Sequence, residues 1–152
     1  MRFLEIDALH IRDHLPDGSC SFVAFNHHIN DIVQTILHEN AGKRTEDGDW
    51  FAMVPEMIRL VHQARETCEM ETTVRRRFVE IVASCCAVLK SGGAMGFNNA
   101  VTPLLIRHGY TEELLGSFIA LAGRWISEDI DSLQVERLHG FDEKWWLFVR
   151  KV

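Results

Sequence analysis

The chain has 152 residues, of which 47% are hydrophobic and 25% are charged, and its formal net charge is −6. This composition predicts a single globular domain over residues 1–152, large enough to bury a core without disulfide or metal support. The negative charge argues against general nucleic-acid binding, which needs clustered positive charge. No apolar run approaches the ~20 residues of a membrane span, and the charged N-terminal segment is unlike a signal peptide. We therefore expect a cytoplasmic protein that binds neither nucleic acid nor membrane.

The N-terminal third predicts a helix that follows a turn. Residues 1–15 are ambiguous, because their apolar spacing fits a helix while residues 2–6 also fit a short strand; we favour the helix. The sequence PDG at 16–18 then indicates a turn. Ser19 is placed to cap a helix that continues to about Asn40, because apolar residues follow at helical spacing: Phe22, Phe25, Ile29, Ile32 and Ile36.

The most apolar stretch of the chain, residues 73–91, predicts the central helix of the fold. Before it we expect an exposed polar loop over 42–50 and a helix from about Val54 to Glu69, in whose first turn Pro55 fits. Apolar residues in the central stretch recur three and four positions apart, with few polar side chains between them: Val74, Phe78, Ile81, Cys85 and Val88. A helix of this kind belongs in the middle of a bundle.

The remaining segments predict further helices. The glycine-rich stretch 91–99 indicates a flexible connector, and either of its last two asparagines is placed to cap a short helix that ends at Gly109. Thr111 is placed to cap a long helix, and a further helical piece is expected over 129–138. The tail 142–152 fits either a helix or a strand. Together these segments predict an all-α fold, a single-domain bundle of five to seven helices around the central one, with a possible minor β element at the termini.

Eight histidines invite a search for metal ligands. Asp7, His10 and His14 lie three and four positions apart, so a helix would bring them to one face, a set that suits zinc or iron. Shorter pairs are His27 with Asp31, His62 with Glu66, and Glu136 with His139. None of these forms a recognised metal signature. A metal-dependent hydrolase or metal-binding helical protein built on Asp7, His10 and His14 is therefore the alternative hypothesis, and the main one has no cofactor.

No catalytic residue is predicted. Glu80 lies on the most apolar helix, one turn from Ser84, and this contact is more typical of structure than of acid–base chemistry. Residues 91–99 resemble a phosphate cradle but lack the lysine and the spacing of a P-loop. Four cysteines without CxxC spacing predict buried reduced thiols. The arginines at 75–77 are expected to pair with nearby acids, because cations oppose the dipole at a helix start.

The C-terminal third carries the main functional prediction. From Glu112 to Glu143 there are eight acidic residues and two arginines, so this window carries the entire excess of negative charge. Trp125, Trp145 and Trp146 lie in the window or directly after it, and exposed aromatics with an acidic rim are typical of surfaces for basic proteins; burial in the core is the alternative. We predict a non-catalytic module that covers a basic partner, plausibly a nuclease or other toxin inhibited as by an immunity protein, with a homodimer also compatible. The predicted contacts are Glu112, Glu113, Trp125, Glu128, Asp129, Asp131, Glu136, Trp145 and Trp146.

Overall fold

The computed structural model describes residues 8–25, 29–43 and 49–152. A short 3-10 helix at Ala8–Asp13 precedes the α-helices, named α1 to α5: Ile29–Asn40, Trp50–Glu66, Arg75–Val88, Pro103–Arg107 and Glu112–Asp129. A π-helical turn at Met70–Val74 leads directly into α3. The strands, named β1 to β4, are Cys20–Ala24, Leu89–Asn98, Leu133–Glu136 and Trp146–Lys151.

These strands form one mixed sheet, so the predicted all-α fold is wrong. The strand order is β1-β2-β4-β3; β1 runs parallel to β2, and β4 pairs antiparallel with both β2 and β3. Helices α3 and α5 pack on one face of the sheet, where the ring of Phe78 lies 6.1 Å from that of Phe97 and Gly123 faces Leu147. The fold is therefore a two-layer arrangement of helices on a sheet.

Strand β2 occupies the residues that were predicted as a flexible connector, 91–99. Its Met95 and Phe97 are fully buried, as alternate positions of a strand that faces a core must be. A Cβ added to Gly93 would lie 3.1 Å from the carbonyl oxygen of Ser21, so this glycine allows β1 to approach closely. The connector prediction was wrong because glycines that serve close strand packing look the same in a sequence as glycines that break a chain.

Helix α3 confirms the central apolar helix but is shorter than predicted. It ends at Val88, and β2 begins at the next residue. The Nζ of Lys151 in β4 donates to the carbonyl oxygens of Cys86 and Leu89, at 2.9 and 2.8 Å. A side chain from the last strand thus bonds two carbonyl groups at the junction of α3 and β2.

The predicted helix from Ser19 is only half right. Residues 20–24 form β1, and α1 begins at Ile29. In β1 Phe22 is 54% exposed whereas Val23, paired with the buried Met95, faces the helices, so the segment alternates as a strand does. Of the helix favoured over residues 1–15, residues 8–13 form the 3-10 helix, and residues 1–7 lie outside the described part of the chain.

Helix α2 begins earlier than predicted, at Trp50, and its cap is Asp49, whose Oδ1 accepts the N–H of Phe51 at 3.0 Å. Pro55 therefore lies inside the helix and not in its first turn. The helix tolerates it because proline removes only the hydrogen bond to Phe51, an exposed residue at the helix start. Much of the loop predicted over 42–50 lies outside the described residues.

In the C-terminal half one of the two predicted helix caps is confirmed, and one strand replaces a predicted helical piece. Thr102, and not an asparagine, caps α4, while Thr111 caps α5 as predicted, with its hydroxyl accepting the N–H of Leu114 at 3.1 Å. The helical piece predicted over 129–138 is wrong, because residues 133–136 form β3. The tail, left open between helix and strand, forms β4, in which Leu147 and Val149 face the core.

Candidate protein-binding surface

The sheet has an inner face toward the helices and an outer face that carries aromatic side chains. Residues paired across neighbouring strands share a face. Met95 pairs with Val149, and both are fully buried on the inner face. Gly96 pairs with Phe148 on the outer face, where Trp146, two positions before Phe148, also lies. The outer face is therefore where exposed aromatic groups collect.

An aromatic cluster of Phe141, Trp146 and Phe148 covers part of the outer face. The rings of Trp146 and Phe148 stack with centroids 5.9 Å apart, and Phe141 meets them edge-on at 5.1 and 4.9 Å. Phe141 remains 45% exposed and Trp146 38% exposed. Phe22 extends the row across β2, because a Cβ on Gly96 would lie 3.1 Å from the rings of both Phe22 and Phe148. Glycine at 96 thus leaves room for two rings that cover the strand between them.

The turn that carries Phe141 joins this cluster to the start of α5. Asp142 shapes the turn: its Oδ1 accepts the N–H of Lys144 at 2.9 Å, and its carbonyl oxygen accepts two further N–H groups at the same distance. The Nζ of Lys144 lies 3.6 Å from Oε1 of Glu112. We define the aromatic–acidic surface as the aromatic cluster together with the acids of this edge: Glu112, Glu113, Asp142 and Glu143.

The acids predicted as one surface lie at the two ends of α5. Glu112 and Glu113 are in its first turn, where Oε1 of Glu112 lies 3.6 Å from Nζ of Lys144 in the turn that follows Phe141. Glu128 and Asp129 are in its last turn, and Asp131 follows the helix. At 1.5 Å per residue the two groups are roughly 24 Å apart. The structure therefore brings only the first group close to the turn that carries Phe141.

Glu128 and Asp129, at the far end of α5, are paired within the chain. Arg75 donates from Nε and a terminal nitrogen to the two carboxylate oxygens of Asp129, both at 2.7 Å, and lies 2.9 Å from Glu128. The hydrogen bonds between the two side chains lower the pKa of Asp129 and raise the pKa of Arg75. The hydrogen bond from Arg124 likewise lowers the pKa of Glu71, in the π-helical turn. The expected pairing of the 75–77 arginines with nearby acids is thus confirmed for Arg75, and these contacts tie α3 to α5.

The three tryptophans of the prediction have different environments. Trp125 is 1% exposed and donates its indole N–H to Oε2 of Glu71 at 3.1 Å, so it belongs to the core. Trp145 is half-buried against the core, and Trp146 belongs to the aromatic cluster. Glu136, the remaining predicted contact, accepts from Nε of Arg150 at 2.6 Å, which lowers the pKa of Glu136.

The metal hypothesis gains no support from the described residues, among which no three histidine, cysteine, aspartate or glutamate side chains are grouped as metal ligands are. His10 and His14 lie in and directly after the 3-10 helix, and His10 has Asp13 as its neighbour at 3.6 Å. Asp7 lies outside the described part of the chain, so the set of three stays a prediction.

The other motifs have structural contacts. Glu80 is not buried and lies 3.3 Å from Arg77, while the hydroxyl of Ser84 donates to the carbonyl oxygen of Leu9 at 2.8 Å. Cys85 and Cys86 are buried as predicted, but Cys68 is exposed. The sequence analysis did not predict Phe22, Phe141 or Phe148 as contacts, although the position of Phe141 inside the acidic window, directly before Asp142, was a usable signal.

The chain matches no protein-family model, and comparisons with curated proteins and with solved structures also give no match. The class that can be stated from the geometry is a two-layer mixed α/β protein with an aromatic outer sheet face. Over the ranges 8–25, 29–43 and 49–152, every helix is too short or too polar to cross a membrane.

Proposed function

We propose that this chain is a non-catalytic protein-binding module that contacts a basic partner through the aromatic–acidic surface. The observation that carries this proposal is the aromatic cluster, in which Phe141 and Trp146 are 45% and 38% exposed although each is held against other rings. Large aromatic side chains that are already fixed lose little entropy on binding and dominate the energetics of many protein interfaces. The cluster is therefore suited to act as the anchor of an interface.

The charges beside the cluster favour a basic partner. The acids of the surface are Glu112, Glu113, Asp142 and Glu143, and the cations among them are Arg137 and Lys144. Both cations form exposed ion pairs, of Arg137 with Glu143 at 3.1 Å and of Lys144 with Glu112 at 3.6 Å. Exposed pairs of this kind contribute little to stability, so positive groups of a partner can replace these cations. The excess of carboxylates also speeds the encounter with a positively charged protein.

The finer form of the proposal is an inhibitor of a basic toxin in the cytoplasm. A toxin that acts on nucleic acid has a positive site built for phosphates, and carboxylates on a partner can fill that site. This reasoning is an analogy of function and not of fold. The four cysteines are free thiols, which suits a reducing compartment.

The decisive experiment compares two single charge reversals that change net charge equally. Glu113→Lys acts beside the aromatic cluster, and Asp131→Lys acts at the other end of α5, where it is also exposed. Basic proteins captured from a host lysate at low salt are identified, purified and titrated against both variants. We expect Glu113→Lys to lower affinity about tenfold, Asp131→Lys to lower it less than twofold, and association to slow steeply with salt.

A second pair of variants tests the anchor. Trp146→Ser removes one of the three rings of the aromatic cluster. The control, Phe51→Ser, removes an aromatic side chain that is 63% exposed on α2. We expect a loss of about 2 kcal/mol or more in binding for the first and almost none for the second. Equal effects within either pair, or salt-independent binding, would refute the proposal. Self-association of the purified chain that Trp146→Ser abolishes would show instead that the surface joins two copies.

A further inference from the structure

Lys144 lies in a seat built from three other residues at the edge of the aromatic–acidic surface. Its Nζ lies 4.8 Å from the ring centroid of Trp145, within the range of a cation–π contact, and 3.6 Å from Oε1 of Glu112. The charged head of the lysine thus meets an aromatic face and a carboxylate together. This combination is the one that proteins use to recognise alkylammonium groups.

The floor of the seat is Gly116, in the second turn of α5. A Cβ on Gly116 would lie 2.9 Å from Cε and 3.0 Å from Cγ of Lys144, so a side chain at 116 would displace the lysine stem from its present position. Glycine within a helix weakens the helix relative to alanine. The seat therefore accommodates both parts of a lysine side chain: the aliphatic stem over Gly116, and the ammonium group beside Glu112 and Trp145.

We infer that Trp145, Glu112 and Gly116 form a binding site for a lysine side chain of the basic partner, and that Lys144 occupies this site until the partner displaces it. The inference rests on the proposed function and gives it a specific contact. Lys144 and Glu112 are 44% and 65% exposed, so their ion pair is weak and easily exchanged. The exchange conserves charge, because one ammonium group takes the place of another.

The test uses a blocked tetralysine peptide, titrated by calorimetry against the whole chain and three variants. Lys144→Met keeps an unbranched stem but removes the competing charge, and Lys144→Arg keeps a cation in the seat. Lys90→Met removes one cation at the opposite end of β2, roughly 25 Å away, and so controls for net charge. Thermal melts of each variant check that the fold is retained.

We expect the peptide to bind Lys144→Met about threefold to fivefold more tightly than Lys90→Met, the range that an exposed ion pair and a cation–π contact can supply. Lys144→Arg should bind like the unaltered chain. Equal affinities for Lys144→Met and Lys90→Met, or no binding to any variant, would overturn the lysine site. If the charge reversals and Trp146→Ser still weaken binding of a basic protein, the proposed function stands without it.

Discussion

Asn99 offers the sharpest test of how the aromatic–acidic surface is held in place. It is 2% exposed, and its Nδ2 donates to the carbonyl oxygen of Leu115 in α5 at 2.8 Å, while its Oδ1 accepts the N–H of Ala100 at 3.1 Å. Its own N–H donates to the carbonyl oxygen of Trp145 at 2.9 Å. One buried residue thus connects the end of β2 to the first turns of α5 through its side chain and to the turn before β4 through its backbone.

The loss of stability expected for Asn99→Ala follows from these contacts. Asn99→Ala removes two side-chain hydrogen bonds of about 1 kcal/mol each, so the free energy of unfolding should fall by roughly 2 kcal/mol. In a chain of this size the melting temperature should then fall by about 4–8 °C. Leu115 keeps its place in the α5 helix, which holds the loss below the cost of a fully unpaired carbonyl. Urea unfolding followed by far-UV circular dichroism measures the change.

Asn99→Asp adds a pH signature to the same site. A carboxylate would face the carbonyl oxygen of Leu115, so burial and repulsion should raise its pKa in the folded state above the unfolded value of about 3.9. A raised folded pKa gives stability that is present below the unfolded pKa and lost as pH rises through the folded pKa. The variant should therefore approach the unaltered chain in acid and fall behind it near neutral pH.

Asn98→Ala is the matched control, because the Oδ1 of Asn98 is buried and no described residue donates to it. Removing that side chain should change the free energy of unfolding by less than about 0.5 kcal/mol. If Asn98→Ala and Asn99→Ala cost the same, or if Asn99→Asp shows no dependence on pH relative to the unaltered chain, the bracing role of Asn99 is wrong.

Three further outcomes are expected. Gly96→Ala should cost about 1–3 kcal/mol of stability and change the near-UV spectrum, since the added methyl would meet two phenylalanine rings 3.1 Å away; an unchanged melting curve would contradict this. The pKa of Asp129 is lowered by its hydrogen bond with Arg75, so stability should be lost as pH falls below about 4, and Arg75→Met should reduce that acid dependence. Equal acid titrations of both proteins would contradict it. Tyr110→Phe should lower the free energy of unfolding, measured in urea, by about 1–3 kcal/mol, because the side-chain amide of Gln34 would lose the hydroxyl to which it donates in the core. An unchanged free energy of unfolding would contradict this and would mean that water replaces the hydroxyl.

The sequence predicted helices well where side chains repeat on one face and short polar residues cap the ends. Thr111 and the apolar stretch of α3 are local signals, because a helix closes its hydrogen bonds within a few residues. The sheet depends on partners that are distant in sequence, such as β1 with β2 and β2 with β4. Glycines at 93 and 96 then look like a loop, since only the neighbouring strands show why side chains are excluded there.

The candidate surface could be predicted only in part, because it too depends on contacts between residues that are distant in sequence. The acidic window and the adjacent tryptophans are visible along the chain, and Lys144 does bring Glu112 and Trp145 together at one end of α5. The sequence could not show that Trp125 faces the core or that the acids at the far end pair with Arg75. Those contacts join α5 to α3 and the π-helical turn. Helical spacing shows which residues share a face of α5, but not which element of the fold packs against that face.

The placement of β4 between β2 and β3 bears on the order in which the molecule assembles. β3 and β4 are neighbours along the chain and should pair early at small entropic cost, whereas β1 and β2 are separated by three α-helices and a π-helical turn and must find each other across a long segment. We expect amide protons of β1 to exchange with deuterium well before those of β4. The edge that carries Phe22 would then detach and re-form while the rest of the sheet keeps its register.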